Sequence, residues 1–147
     1  MILMSDVTPP APPDLDGRVV MVTGASGGIG LVTARELACR GATVLMVGRD
    51  EGRVRAAVTH VRDAAGARGV VETYVEDLSS LDAVRSLADE VGSRHPRLDV
   101  LVNNVGGMFV GREETVDGLE MTLALNHLGP YLLTRLLLDV IRASGAG

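Results

Sequence analysis

The chain has 147 residues, a formal net charge of −5 and no basic block, so it lacks the electrostatic footprint of a nucleic-acid or anionic-membrane binder and points to small-molecule partners. A chain of this length buries roughly 70% of the surface its unfolded form exposes, which suits one domain or part of one. Its single cysteine, Cys39, excludes an internal disulfide and a cysteine metal cluster, and its fourteen basic residues are all arginine, so no chemistry needing a lysine can come from these residues.

Residues 1–4 are too short an apolar start, and lack the basic lead, for a secretory signal. The longest apolar region, residues 132–141, is interrupted by Arg135 and Asp139, so no membrane span and a cytoplasmic location are expected. Residues 1–17 are proline-rich and end in an Asp-Gly turn signal, which predicts a flexible arm before a folded part at 18–147.

From Arg18 onward short apolar runs alternate with helical patterns, the signature of a parallel sheet covered by helices. Residues 19–22, 44–47, 70–75 and 100–102 read as strands. The first, second and fourth are continuously apolar, as for strands buried on both faces. Glu72 and Thr73 interrupt the third and place it at an edge. Between the first two strands, Gly30, Ala34, Leu37 and Ala38 form one small-residue helix face that ends at Gly41, with Cys39 expected as a small buried residue. The stretch 51–65 predicts a surface helix with Val54, Val58 and Val61 inward. Leu81, Val84, Leu87, Ala88 and Val91 predict another, capped by Ser79 or Ser80. The last helix, 130–143, carries only Arg135, Asp139 and Arg142 as a polar stripe, more apolar surface than one sheet face covers. His60, His95 and His127 are scattered and read as surface or packing residues, and no metal-ligand cluster is found.

The stretch TGASGGIG (23–30) joins a predicted strand to a predicted helix, so the first helical N–H groups and the helix dipole face whatever lies above the turn and favour an anion. Gly24, Gly28 and Gly30 allow a tight turn and close approach of a pyrophosphate to the backbone. A Walker A loop is excluded because it ends in Gly-Lys. A tight turn without any ligand stays open at this point.

Together with EDL (76–78), NNVG (103–106) and LNHLGPYLLT (125–134), the glycine turn resembles the short-chain dehydrogenase/reductase family, in order and spacing, over residues 18–144. Residues 117–138 resemble its retinol-dehydrogenase-like members in particular. The resemblance implies an α/β, Rossmann-like doubly wound parallel sheet in the order 3-2-1-4, truncated after the helix that follows the fourth strand. It implies that Ser26 and the amides around Gly28, Ile29 and Gly30 bind the pyrophosphate and its ribose. It further implies that Asp77 accepts from the adenine amino group, that the Leu78 amide meets the ring, and that Asn103 and Gly106 belong to the motif beside the nicotinamide ribose. Val105 departs from the family's alanine and adds bulk there.

At the end of the second strand Gly48 stands where an acid would hold the adenosine ribose hydroxyls; Arg49 follows it, and Asp50 is one step too far. An arginine suits a 2′-phosphate, so NADP is expected over NAD, with a solvated loop cation as the alternative for Arg49. Asn126 matches the family's catalytic asparagine. The family's serine and Tyr-x-x-x-Lys lie on later elements and have no counterpart in residues 1–147, where Tyr74 and Tyr131 fall on the wrong elements. The reading is an NADP-dependent oxidoreductase of carbonyls or alcohols, present as its cofactor-binding N-terminal portion and catalytically incomplete as this chain alone. The alternatives are a non-catalytic nucleotide-binding or subunit-interaction module, or the product of a truncated reading frame. Met108 and Phe109 either line the near wall of a substrate pocket or pack as loop residues. The edge of the fourth strand and the final helix are expected to drive homo-oligomers or aggregation.

Overall fold

The computed structural model describes residues 14–145, and residues 1–13 of the expected arm lie outside the described residues. Tertiary contacts begin ahead of Arg18. Asp14 pairs with Arg68 at 2.6 Å, the Leu15 amide donates to the Arg40 carbonyl, and Leu15 packs on the core.

Four parallel strands, β1 (Val19–Thr23), β2 (Thr43–Gly48), β3 (Val70–Val75) and β4 (Val100–Val102), form one sheet in the order β3-β2-β1-β4. This is the doubly wound order expected from the sequence. Strand alternation divides the core in two. Val20, Val22, Val44 and Met46 face α1 (Gly28–Cys39) and α2 (Glu51–Ala65), whereas Met21, Leu45, Val47 and Tyr74 face α3 (Leu81–Arg94) and the last long helix. In α1 the buried residues are Gly30, Ala34 and Ala38, small enough to let the helix lie close to the sheet, while Leu37 and Cys39 are only partly buried at its margin. The inner stripe of α2 is wider than its three valines, because Ala57 and Ala65 are buried too. Asp50 caps this helix by accepting from the Arg53 amide at 2.8 Å.

The expectation that the fourth strand is buried on both faces is corrected. Val100 is 47% exposed and Leu101 and Val102 are only partly buried, whereas the place of β4, paired with β1 alone among the described residues as the second edge of the sheet beside β3, is the expected one. The final helix also starts earlier than its proline. A short α4 (Met121–Leu123), a π-helical segment (Ala124–Leu128) and α5 (Gly129–Ala143) follow one another directly. Pro130 sits in the first turn of α5, directly after the π-helical segment, and offers no N–H to that junction. The apolar excess of this helix is visible as exposed Tyr131 and Leu136 around the buried Leu133 and Leu137.

At the N-terminal end of the strands Asp99 clamps β1 to β4. Its carboxylate, 2% exposed, accepts from Arg18 Nη1 at 2.7 Å, from the Val19 amide at 2.8 Å and from Arg97. Burial alone would raise the pKa of Asp99, but these donors outweigh it and hold the carboxyl down to about 2.

Candidate functional site

The C-terminal ends of the strands converge on the turn between β1 and α1. Gly24 and Gly28 hold φ values of +65° and +54°, which side-chain-bearing residues rarely adopt. A Cβ on Gly30 would stand 2.4 Å from the Gly24 carbonyl oxygen, so glycine is required for the helix to meet the strand, whereas a Cβ on Gly28 would meet nothing within 4 Å. Gly27 caps α1 without any side-chain hydrogen bond, and the first turn contains no acid. The leading amides of α1 therefore have no carboxylate or hydroxyl competing for them.

A network at the sheet edge fixes this turn. Thr23 Oγ1 accepts from the amides of Asn104 and Val105, both at 3.0 Å, and Asn104 Nδ2 donates to the carbonyls of Thr23 at 3.0 Å and Gly24 at 3.3 Å. Asn103, singled out in the sequence, takes the opposite direction, as successive residues leaving a strand do: its Nδ2 donates to Thr134 Oγ1 on α5, and it does not line the cleft. Asn104 is the asparagine that holds the site, and the sequence reading missed it.

A cleft of about 340 Å³ opens above the turn, within the range of small-molecule sites. Gly24, Ser26, Arg49, Asp77, Leu78 and Gly106 line it, as do Arg53, Glu76, Met108 and Phe109. Gly28, Ile29 and Gly30 form the adjoining first turn of α1, with Ile29 exposed. Asn126 is exposed and outside the lining, at the centre of the π-helical segment. Its Oδ1 accepts from the Gly107 amide and its Nδ2 donates to the Gly107 carbonyl, both at 2.8 Å, so the side chain props the glycine loop. A π turn inside a helix often marks a functional position.

One end of the cleft is charged. A Cβ on Gly48 would come within 2.7 Å of the fully buried Val54 and 3.3 Å of Ser26 Oγ, so an acid has no room there. Asp50 is engaged as the cap of α2. Arg49 and Arg53 both line this end, neither forms a salt bridge among the described residues, and Arg53 Nη2 lies 3.3 Å from where a Cβ on Gly27 would stand. Burial, with Glu90 adding repulsion, pushes the carboxyl of Glu76 up from its ordinary value. The other end of the cleft, Val105–Phe109 with Leu125, carries no ionisable side chain.

Neither tyrosine reaches the cleft. Tyr74 is buried on β3, 3.3 Å from both Glu72 Oε2 and His95 Nε2, and Tyr131 stacks on His127 with ring centroids 6.4 Å apart. No group of three histidines, cysteines or acids able to hold a metal is found among the described residues.

Residues 18–147 match the short chain dehydrogenase family. The chain belongs to the short-chain dehydrogenase/reductase family. It is 44% identical over 144 residues to mouse polyprenol dehydrogenase, covering 98% of this chain and 43% of that protein. It is 40% identical over 135 residues to human retinol dehydrogenase 13, covering 92% of this chain and 40% of the relative. Among solved structures, a metagenomic short-chain oxidoreductase in complex with NADP superposes with a TM-score of 0.78 at 37% identity, covering 92% of this chain and 61% of that one. The chain thus spans about two fifths of the length of these curated dehydrogenases. Within the described residues no helix is long and apolar enough to cross a membrane.

Proposed function

We propose that this chain forms the cofactor half of an NADP-dependent oxidoreductase that transfers hydride between the nicotinamide and a carbonyl or alcohol. The observation that carries the NADP reading is the pair Arg49 and Arg53, unpaired at the charged end of the cleft beside a Gly48 that leaves no room for an acid. Two guanidinium groups there suit a 2′-phosphate and have no counterpart need in NAD. The NADP complex of the metagenomic relative supports the same reading, and the names of the polyprenol and retinol dehydrogenases support an alcohol or carbonyl substrate.

When bound, the nicotinamide supplies the hydride chemistry. The residues of this chain bind and orient it. The free amides of α1 and Ser26 receive the pyrophosphate, Asp77 accepts from the adenine amino group beside Leu78, and Gly106 flanks the nicotinamide ribose with Asn126 bracing Gly107 beside it. Residues 1–147 contain no lysine, and both tyrosines lie away from the cleft, so we assign cofactor binding to them and no proton transfer.

Calorimetric titration of the chain with NADP and NAD tests this reading. NADP is expected to bind more tightly, with no NADPH-dependent turnover by these residues alone. Equal affinities, or tighter binding of NAD, would contradict it.

A further inference from the structure

We propose that Ser79 is a positioning residue for base recognition, locking the carboxylate of Asp77 in the orientation that distinguishes adenine from a 6-oxo purine. The inference rests on the cofactor reading of the cleft and concerns a residue outside its lining.

The sequence offers two adjacent serines, Ser79 and Ser80, as caps for α3, and the structure separates their work. Ser80 is the cap, its Oγ accepting from the Ala83 amide at 3.4 Å. Ser79 turns the other way and donates twice to one oxygen of Asp77: its amide lies 3.0 Å and its hydroxyl 2.9 Å from Oδ1. The Ser80 amide closes the turn on the Asp77 carbonyl at 3.0 Å. A carboxylate with a double donor on one oxygen loses its freedom about χ1 and χ2, while its second oxygen keeps its acceptor capacity. Asp77 Oδ2 makes no hydrogen bond among the described residues, and Asp77 lines the cleft. Ser79 itself is 8% exposed, so its hydroxyl is shielded from water that would otherwise compete for its proton.

The turn is also held from outside. Asp117 Oδ2 accepts from the Leu81 amide at 2.9 Å, and Gly129 is packed so closely that a Cβ there would stand 2.4 Å from the Leu78 carbonyl oxygen. The backbone of residues 77–81 is therefore anchored independently of the Ser79 hydroxyl. Removing that hydroxyl leaves Asp77 Oδ1 on the Ser79 amide alone, which loosens the carboxylate and leaves the turn in place.

The chemistry gives the consequence. A fixed carboxylate oxygen accepts from the exocyclic amino group of adenine, whereas the 6-oxo group of hypoxanthine presents an acceptor to an acceptor and is rejected. A mobile carboxylate swings away from the mismatch and discriminates less.

The test measures Kd by calorimetry for NADP and for its hypoxanthine analogue, nicotinamide hypoxanthine dinucleotide phosphate, with the wild-type chain and three variants. The readout is the ratio of the two Kd values, analogue over NADP. Ser79→Ala is expected to lower this ratio about three- to tenfold, the worth of one hydrogen bond. Ser79→Thr, which keeps the hydroxyl, should hold the wild-type ratio, and Asp77→Ala should bring it close to one. A Ser79→Ala ratio equal to wild type, with Asp77→Ala still collapsing it, overturns the role of Ser79 and leaves the cleft reading standing. Equal weakening of both nucleotides in Ser79→Ala has the same meaning, since a merely structural role would move both. A ratio near one in the wild type overturns the proposal together with the placement of adenine at Asp77.

Discussion

Asn104 and Thr23 bind each other in both directions across the end of the sheet. The Thr23 hydroxyl accepts from the Asn104 amide, and the Asn104 side chain donates back to the Thr23 carbonyl, each at 3.0 Å. The side-chain nitrogen also reaches the Gly24 carbonyl, so the glycine turn is tied to β4 through one half-buried amide. Asn104→Ala should cost about 1–3 kcal/mol of stability, the penalty of leaving such groups unpaired, and weaken nucleotide binding with it. Asn103→Ala, which removes only an exposed bond to Thr134, should change both by less than about 0.5 kcal/mol. Urea denaturation and nucleotide titration of the two variants check this; the reverse ranking would contradict it.

That pair shows where sequence reading stops. The element order and the glycine turn were legible because periodicity, small residues and turn chemistry are local, whereas the 3-2-1-4 sheet order was legible only through the resemblance of the motifs to the family. Which of two neighbouring asparagines faces the turn depends on the direction each side chain takes on leaving β4, and that is fixed by packing against α5 and β1. Arg53 was illegible as a site residue for a related reason: whether a guanidinium in the first turn of α2 faces the cleft depends on how that helix packs beside the β1–α1 turn, where Arg53 lies next to Gly27. The open edge of β4 was legible, but the exposure of its faces was not, because a continuously apolar run reads as buried whether or not a neighbour covers it.

The edge of β4 and the apolar flank of α5 should make the chain associate. Val100 is exposed on a strand paired on one side, and Tyr131 and Leu136 add apolar surface nearby on α5. Light scattering should show mass rising with concentration, and Val100→Lys should reduce it. A monodisperse monomer at tens of micromolar, by the order of magnitude at which such edges recruit other chains, would contradict the association.

Acid should loosen the clamp at the opposite end of the sheet. The carboxyl of Asp99 titrates near 2 in the fold against an ordinary 3.8, so its contribution is complete above pH 4 and is lost as the pH falls toward 2. The shift corresponds to ~2 kcal/mol. Asp99→Asn should remove about this much stability at pH 7 and flatten the acid limb of a stability–pH curve. An unchanged acid limb would show that Arg18 and Arg97 do not hold this carboxylate.

Alkali should act on Tyr74. Burial first, then the neighbouring Glu72 carboxylate, push its phenol up to about 12. The folded state therefore keeps a proton that the unfolded chain releases near 10, and stability falls as pH rises from 10 toward 12. Ultraviolet titration of the folded chain should show one phenol still protonated at pH 11, absent in Tyr74→Phe. Complete ionisation of both tyrosines below pH 11 in the folded state would contradict the buried Tyr74–Glu72–His95 arrangement.

The cofactor assignment turns on Arg49 and Arg53, and calorimetry of Arg49→Ala, Arg53→Ala and the double variant against NADP and NAD decides it. Each single variant should weaken NADP by about 1–3 kcal/mol, the usual worth of a charge-assisted hydrogen bond, and leave NAD within about twofold of wild type. In the double variant the preference for NADP should disappear. Parallel losses for both nucleotides, or no loss for NADP, would contradict a 2′-phosphate site between these two arginines.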